Sequence, residues 1–217
     1  MNVEQIIKKT AQYVKETLTD QEAGHDWWHI ERVRTMALRI AKEEGADILV
    51  VELSALLHDI ADHKFHGGDE TVGPRVAREW LERNKIDPAI IVQVVDIVAH
   101  QSYTSSLQAK KELSLEGKVV QDADRLDAIG AIGIARTMSY VGSKGLPIYD
   151  PTDPVKQFTS AKEYKSTKST SINHFYEKLL LLKDKMNTET GKQLAEPRHK
   201  YMETYLDEFF SEWKGKL

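Results

Sequence analysis

The chain contains no cysteine among its 217 residues. Disulfides, thiolate-held zinc and iron–sulfur clusters are therefore excluded, and His and carboxylate remain as the strong metal-ligating side chains. Long apolar runs are missing too. The opening MNVEQIIKKTAQYVKETL puts Ile6, Ile7, Ala11, Val14 and Leu18 on one stripe of an amphipathic helix. Such a segment is neither a signal core nor a membrane span, so a cytoplasmic protein is expected. Basic excess is also missing: the formal net charge is −4, which gives no broad cationic surface for a nucleic-acid duplex. There is no internal repeat and no low-complexity tract, and the length suits a single domain, residues 1–217, around one core.

What is present is helical spacing. Val33, Ala37, Ile40 and Ala41 recur at helical intervals, and Gly45 supplies a stop. Asp47 caps the next helix, ILVVELSALLHDIADH, which runs into a polar loop, HKFHGGDE. Helices are predicted over 71–84 and 87–100, the second with Pro88 in its first turn. The segment VVQDADRLDAIGAIGIARTMSYV sets Asp124 and Asp127 three apart on one helical face. Between about 142 and 171 the period breaks, with three of the six prolines and five lysines, which predicts a long loop serving as a lid or an oligomer arm. Two helices then follow, NHFYEKLLLLKDKM and QLAEPRHKYMETYLDEFFSEW, with Pro197 kinking the second or splitting off its first turn. The expected fold class is all-α, a helical bundle with a core over about 20–140 and C-terminal helices over about 171–213.

The chemistry concentrates in GHDWWHIERV and ALLHDIADH. His25 and His29 have the spacing of a zinc-protease helix, but Asp26 is one methylene shorter than the glutamate base such a site uses, and no third ligand follows in the expected place. A second arrangement takes His29 alone and joins it to His58, Asp59 and a later aspartate. Neighbouring His and Asp diverge by about 100° on a regular helix, so both can face one ion only at a frayed helix end. Asp124 in QDADRLD suits the remaining position, because an aspartate in an otherwise apolar segment is costly without a cation or strong donors.

His29 followed by Arg32-Val33, ALLHDI with His58-Asp59, and DADRLDAIGAIG with Asp124 together resemble the HD-domain superfamily of metal-dependent phosphohydrolases, over about residues 20–140. The end of the chain, SINHFYEKLL and METYLDEFF, looks like the small bacterial HD hydrolases, some of which are nucleotide pyrophosphohydrolases. The resemblance implies a helical bundle with His29, His58, Asp59 and Asp124 as ligands of one divalent ion. An N/O site of this kind favours Mn first, with Mg, Fe, Co or Ni as alternatives. It further implies a small phosphorylated substrate, a nucleotide before others, and hydrolysis of a nucleoside triphosphate to pyrophosphate before phosphomonoester or phosphodiester cleavage. A metal-stabilised nucleotide-binding module without turnover is the non-enzyme alternative.

Asp62 follows His58 by four residues on the same face, and in the related guanosine tetraphosphate hydrolases an acidic residue holds that place. It is expected to be the base, with Asp127 as a second catalytic candidate that could instead pair with Arg125 or a lysine. His25, Arg32, His63 and His100 are expected on the substrate side, with Arg136 and Lys178 as further phosphate contacts and Arg198 behind them. His66 is read as part of its loop. Asp26 is expected to cap its helix, at least one of Trp27 and Trp28 to be buried, and Tyr205, Phe209 and Phe210 to pack internally or against a second copy, which leaves a homodimer open.

Overall fold

A computed structural model of the chain describes residues 2–18, 26–61, 69, 71–101, 112–158, 163 and 167–217. The described residues form nine α-helices and two 3-10 turns, with no strand among them, and none of these helices is long and apolar enough to cross a membrane. Contacts divide the chain into two compact units, 1–123 and 124–217.

The first unit holds α1 (Val3–Thr17), α2 (Trp27–Glu44), α3 (Ile48–Leu57), α4 (Val72–Arg83), α5 (Pro88–His100) and the start of α6 (Leu115–Asp127). Its centre follows from the composition of α3. ILVVELSALL is apolar nearly all round, and a helix of that kind has no face to give to water. Accordingly α3 packs against α1, α2 and α5, with Val50, Val51, Leu53, Leu56 and Leu57 fully buried. Arg34 of α2 donates to Glu52 of α3 at 2.6 Å and 2.9 Å, and to Glu31 one turn back. Trp80 of α4 stacks on Tyr13 of α1 with centroids 3.9 Å apart, and its Nε1 donates to Thr10 Oγ1 at 3.0 Å.

The predicted punctuation is realised at most ends. Asp26 accepts from His29 N, Asp47 from Leu49 N and Val50 N, and Asp87 from Ala89 N, so each caps its helix through the carboxylate. Gly45 closes α2 in the left-handed conformation, φ 73°, where a side chain is disfavoured. One boundary differs: α3 stops at Leu57, and residues 58–61 form turns, not the further helix predicted through His63.

In the second unit, the end of α6 is followed by α7 (Gly130–Ser143), α8 (Ser171–Glu177), the 3-10 turns Leu179–Leu181 and Lys183–Lys185, and α9 (Glu189–Trp213). The segment VVQDADRLDAIGAIGIARTMSYV is thus two helices, parted at Ala128-Ile129. The predicted helix NHFYEKLLLLKDKM is one short helix and two 3-10 turns, because LLLLKDKM offers no 3.6-residue period to sustain an amphipathic face. By contrast α9 is longer than expected and runs through Pro197. It packs against α7 and against the second 3-10 turn. Near its end Phe209, Phe210 and Trp213 gather around Tyr149 with centroids 5.0–6.0 Å away, so this aromatic group packs within the unit. Thr188 caps α9 by accepting from Gly191 N at 2.9 Å and is buried. Thr188→Ala is expected to lower unfolding stability by about 1 kcal/mol, read from urea denaturation; an unchanged midpoint would show that the cap is redundant.

Candidate metal centre

Helix α3 ends at the residue before the His-Asp pair, and this early stop lets two neighbours face one point. His58 still has helical dihedrals (φ −60°, ψ −36°), but Asp59 already lies in the turn beyond. From α2 comes His29, buried at 1% exposure just inside the Asp26 cap. Its Nε2 lies 3.2 Å from His58 Nε2, and Asp59 Oδ2 is 3.6 Å from each of those nitrogens. The His58 ring is held from behind: Nδ1 sits 2.8 Å from the Ala55 carbonyl, so Nδ1 carries the proton and Nε2 offers a lone pair toward the group.

The donor set fits a divalent ion. Atoms bound about 2.1 Å from one ion lie roughly 3.0 Å apart when adjacent in an octahedron and about 3.4 Å apart in a tetrahedron. Edges of 3.2, 3.6 and 3.6 Å require only a small contraction. Two imidazoles and a carboxylate are also the chemistry that first-row divalent metals accept. Among the described residues these three form the one group of His and acidic side chains gathered closely enough to hold an ion.

The HD domain family model matches residues 27–129. A Bacillus subtilis protein, the uncharacterized YpgQ, is 39% identical over 193 residues, which is 88% of this chain and 85% of the relative. The chain belongs to the HD-domain family. An HD-superfamily hydrolase from Bacillus thuringiensis superposes with a TM-score of 0.77 at 43% identity, covering 98% of this chain and 99% of the other. The crystal structure of Bacillus subtilis YpgQ in complex with ADP superposes with a TM-score of 0.78 at 35% identity, covering 98% and 97%. The protein is accordingly an HD-superfamily hydrolase, and the matched segment contains His29, His58 and Asp59.

The other candidates fall in three groups. His25, Asp62, His63 and His66 lie outside the described residues, as do Lys162 and Lys165 of the basic loop. In the first unit, Arg32 is half-buried on α2. His100 ends α5 with Nδ1 2.8 Å from the Asp96 carbonyl and 3.3 Å from its carboxylate, so it is engaged by its own helix. Trp28 is 63% exposed and Trp27 half-buried, so neither tryptophan is buried as expected.

In the second unit, Asp124 is half-buried on α6. Asp127 is buried and accepts from Arg136 NH1 at 2.8 Å, so two predicted site residues are partners of each other. Arg125 instead donates to the Lys185 carbonyl, and Arg198 to that of Leu126. In the loop, Lys156 bonds to Asp153, Asn173 donates to the Asp153 carbonyl at 3.0 Å, and Ile172 N reaches Ile148 O. The 148–156 stretch is thereby fastened to α8. Lys178 follows α8 directly as its cap residue.

One residue escaped the sequence reasoning. His174, inside SINHFYEKLL, has its pKa pushed down to about 3, first by desolvation and then by the nearby Lys178 charge. No short motif marks it; the signal was a histidine four residues before a lysine on a helix with little exposed surface. In the unfolded chain the same imidazole protonates near pH 6.5. The folded value is depressed, so the neutral ring's contribution is fully present above about pH 6.5 and is lost as pH falls toward 3. By pH 5 the expected loss is about 2 kcal/mol. Denaturation of the wild type and of His174→Leu across pH 7 to 5 checks this; parallel pH profiles would mean that the ring is not held neutral.

Proposed function

We propose that this HD hydrolase is a metal-dependent phosphohydrolase of nucleotides, and that its leading reaction is cleavage of a nucleoside triphosphate to the monophosphate and pyrophosphate. The observation that carries the reading is the His29-His58-Asp59 group, with three donor atoms within 4.8 Å of one another. The ADP in the YpgQ complex supports a nucleotide substrate. In this reading Asp124 is the fourth ligand, on the strength of its place in DADRLD. One ion is bound, Mn before Mg, Fe, Co or Ni, and the whole chain acts as a single HD enzyme of the cytoplasm.

A bound divalent ion supplies Lewis acidity toward water and toward a phosphate oxygen. The chain's own residues supply the rest. The Ala55 carbonyl fixes the tautomer of His58, so that this ligand needs no reorientation. Asp62 takes the proton of the attacking water. Arg32, Arg136 and Lys178 neutralise phosphate charge, with His25, His63 and His100 as further contacts, and Asp127, bonded to Arg136, is the second catalytic candidate.

Metal-stripped protein reconstituted with each ion in turn, assayed on nucleoside triphosphates with product analysis, tests the reading. Pyrophosphate as product supports it. Orthophosphate with the nucleoside diphosphate would place cleavage at the β–γ anhydride instead, and no hydrolysis of nucleotides or of phosphomonoesters with any ion would leave only a binding module. Asp62→Ala is expected to keep the metal and lose turnover by about 10²-fold or more; retained turnover would remove Asp62 from the mechanism.

A further inference from the structure

Helix α3 carries a single charged residue, Glu52, in the otherwise apolar ILVVELSALL. Its partner comes from α2. Arg34 directs both Nε and Nη2 to Glu52 Oε1, at 2.9 Å and 2.6 Å, while its Nη1 donates to the two Glu31 oxygens at 3.1 Å and 3.3 Å. The guanidinium is thus anchored on its own helix and forked onto the next. The Arg34 and Glu52 side chains are 25% and 13% exposed, so water shields the pair only in part. The Arg34 pKa lies above its ordinary value: burial lowers it, and the bonds to Glu52 together with the Glu31 and Glu52 charges more than offset that.

A packing role does not account for this pair. Placing a carboxylate in an apolar helix costs desolvation, and a sheltered ion pair often adds no net stability over apolar residues of similar volume. Its best-attested use is to fix register. Here the pair lies on the same two helices as two of the candidate ligands. His29 is five residues before Arg34 on α2, and His58 is six residues after Glu52 at the end of α3. Since His29 meets His58 and Arg34 meets Glu52, α2 and α3 run antiparallel, with the ion pair about 8 Å along the helices from the two imidazoles. A slip of one residue between the helices displaces His29 from His58 by about 1.5 Å. The two Nε2 atoms are 3.2 Å apart, and adjacent donors of one ion stand about 3.0–3.4 Å apart, so even that slip opens the pair too far.

We infer that the Arg34-Glu52 pair is the positioning clamp of the metal centre, setting α2 against α3 so that His29 and His58 present Nε2 atoms at the separation one divalent ion bridges. Neither residue is among the donors of the group. The inference rests on the reading of His29-His58-Asp59 as the metal site. It also makes a prediction of opposite sign to that of charge alone. A cation on the order of 10 Å from a divalent ion repels it, so by charge the loss of Arg34 would tighten metal binding. By register, the same loss weakens it.

The test uses full-length protein stripped of metal and titrated with cobalt(II) by calorimetry, with the visible spectrum of the loaded protein as a second readout. Arg34→Met is expected to weaken cobalt binding about 10-fold, as for other residues that orient ligands, and to shift the cobalt absorption bands. Arg34→Lys keeps the charge but loses the fork, and should weaken binding about 3-fold. Made on a Glu52→Leu background, where the clamp is already gone, Arg34→Met should no longer weaken binding. Thr10→Val, which removes a bond to Trp80 elsewhere in the first unit, should lower stability and leave both cobalt affinity and spectrum unchanged. The clamp is overturned if folded Arg34→Met binds cobalt as tightly as wild type or more tightly, if its spectrum does not move, or if Thr10→Val weakens binding equally. Should Arg34→Met not fold, Arg34→Lys decides, and wild-type affinity in that variant would overturn the clamp. Wild-type protein that takes up no cobalt would sink the metal reading and the clamp together, whereas unaltered binding by Arg34→Met sinks the clamp alone.

Discussion

Alanine at His58 or at Asp59 is expected to abolish stoichiometric metal binding, and with it all metal-dependent hydrolysis. The group offers three inward donor atoms, joined in the proposed reading by Asp124, and loss of either His58 or Asp59 leaves a set too weak to compete with water for a labile divalent ion. Removing a residue that merely orients a ligand costs about 10–100-fold in metal affinity, so loss of a ligand itself should cost on the order of 10³-fold or more. His58→Ala also frees the Ala55 carbonyl, which is bonded to the ring it would lose, whereas Asp59→Asn keeps the side-chain shape and removes only the charge. Calorimetry and metal analysis after dialysis read the effect directly. Metal added at about 100 times its dissociation constant should stabilise the wild type by about 2.7 kcal/mol, and this increment should vanish in both alanine variants. A variant that still carries one equivalent of metal would show that the ion sits elsewhere.

Gly133→Ala is expected to be the most damaging glycine substitution in the second unit. A Cβ there would lie 2.1 Å from the Ala128 carbonyl oxygen and 2.4 Å from its carbon. Both are backbone atoms in the tight connection between α6 and α7, so no side chain can swing aside to make room. Forced overpacking of this kind costs about 3 kcal/mol or more. Gly130→Ala should cost less, about 2 kcal/mol: its φ of 74° is unfavourable for alanine, and the new methyl meets Arg198 Cβ at 3.0 Å and Cγ at 3.1 Å, atoms close to the α9 backbone that must give way by a few tenths of an ångström. Gly142→Ala meets nothing within 4 Å inside the same helix, and should be neutral or stabilise by up to about 1 kcal/mol. Chemical denaturation of the three variants gives the ranking; a Gly133→Ala protein as stable as wild type would mean that α6 and α7 are joined differently.

The glycine spacing of DAIGAIG was visible in the sequence, but its meaning was not. A continuous apolar period hides a helix break when the break is made by close backbone approach and not by a proline or a polar run. Pro197 does not split off a first turn, since one helix runs through it from Glu189 to Trp213. Caps were the most legible features, since Asp26, Asp47 and Asp87 act on amides two or three residues away and need no tertiary context. The helix end at His58-Asp59 was legible for a similar reason: two neighbours can face one point only where a helix stops, and α3 stops there. Pairings such as Asp127 with Arg136 were not legible, because nine residues across a helix break have no fixed geometry in the sequence. Neither was the state of His174, which depends on how closely the chain packs around one ring.

The placement of His58 directly after the most buried helix of the first unit bears on hydrogen exchange. From Val50 to Leu57 every residue of α3 but Glu52 is buried, and the helix packs against α1, α2 and α5, so local opening should not release the amides of this stretch. Their exchange should follow global unfolding of that unit, the slowest class in a protein. Metal binding at the end of α3 should therefore retard exchange throughout the first unit and not merely in the turn that carries Asp59.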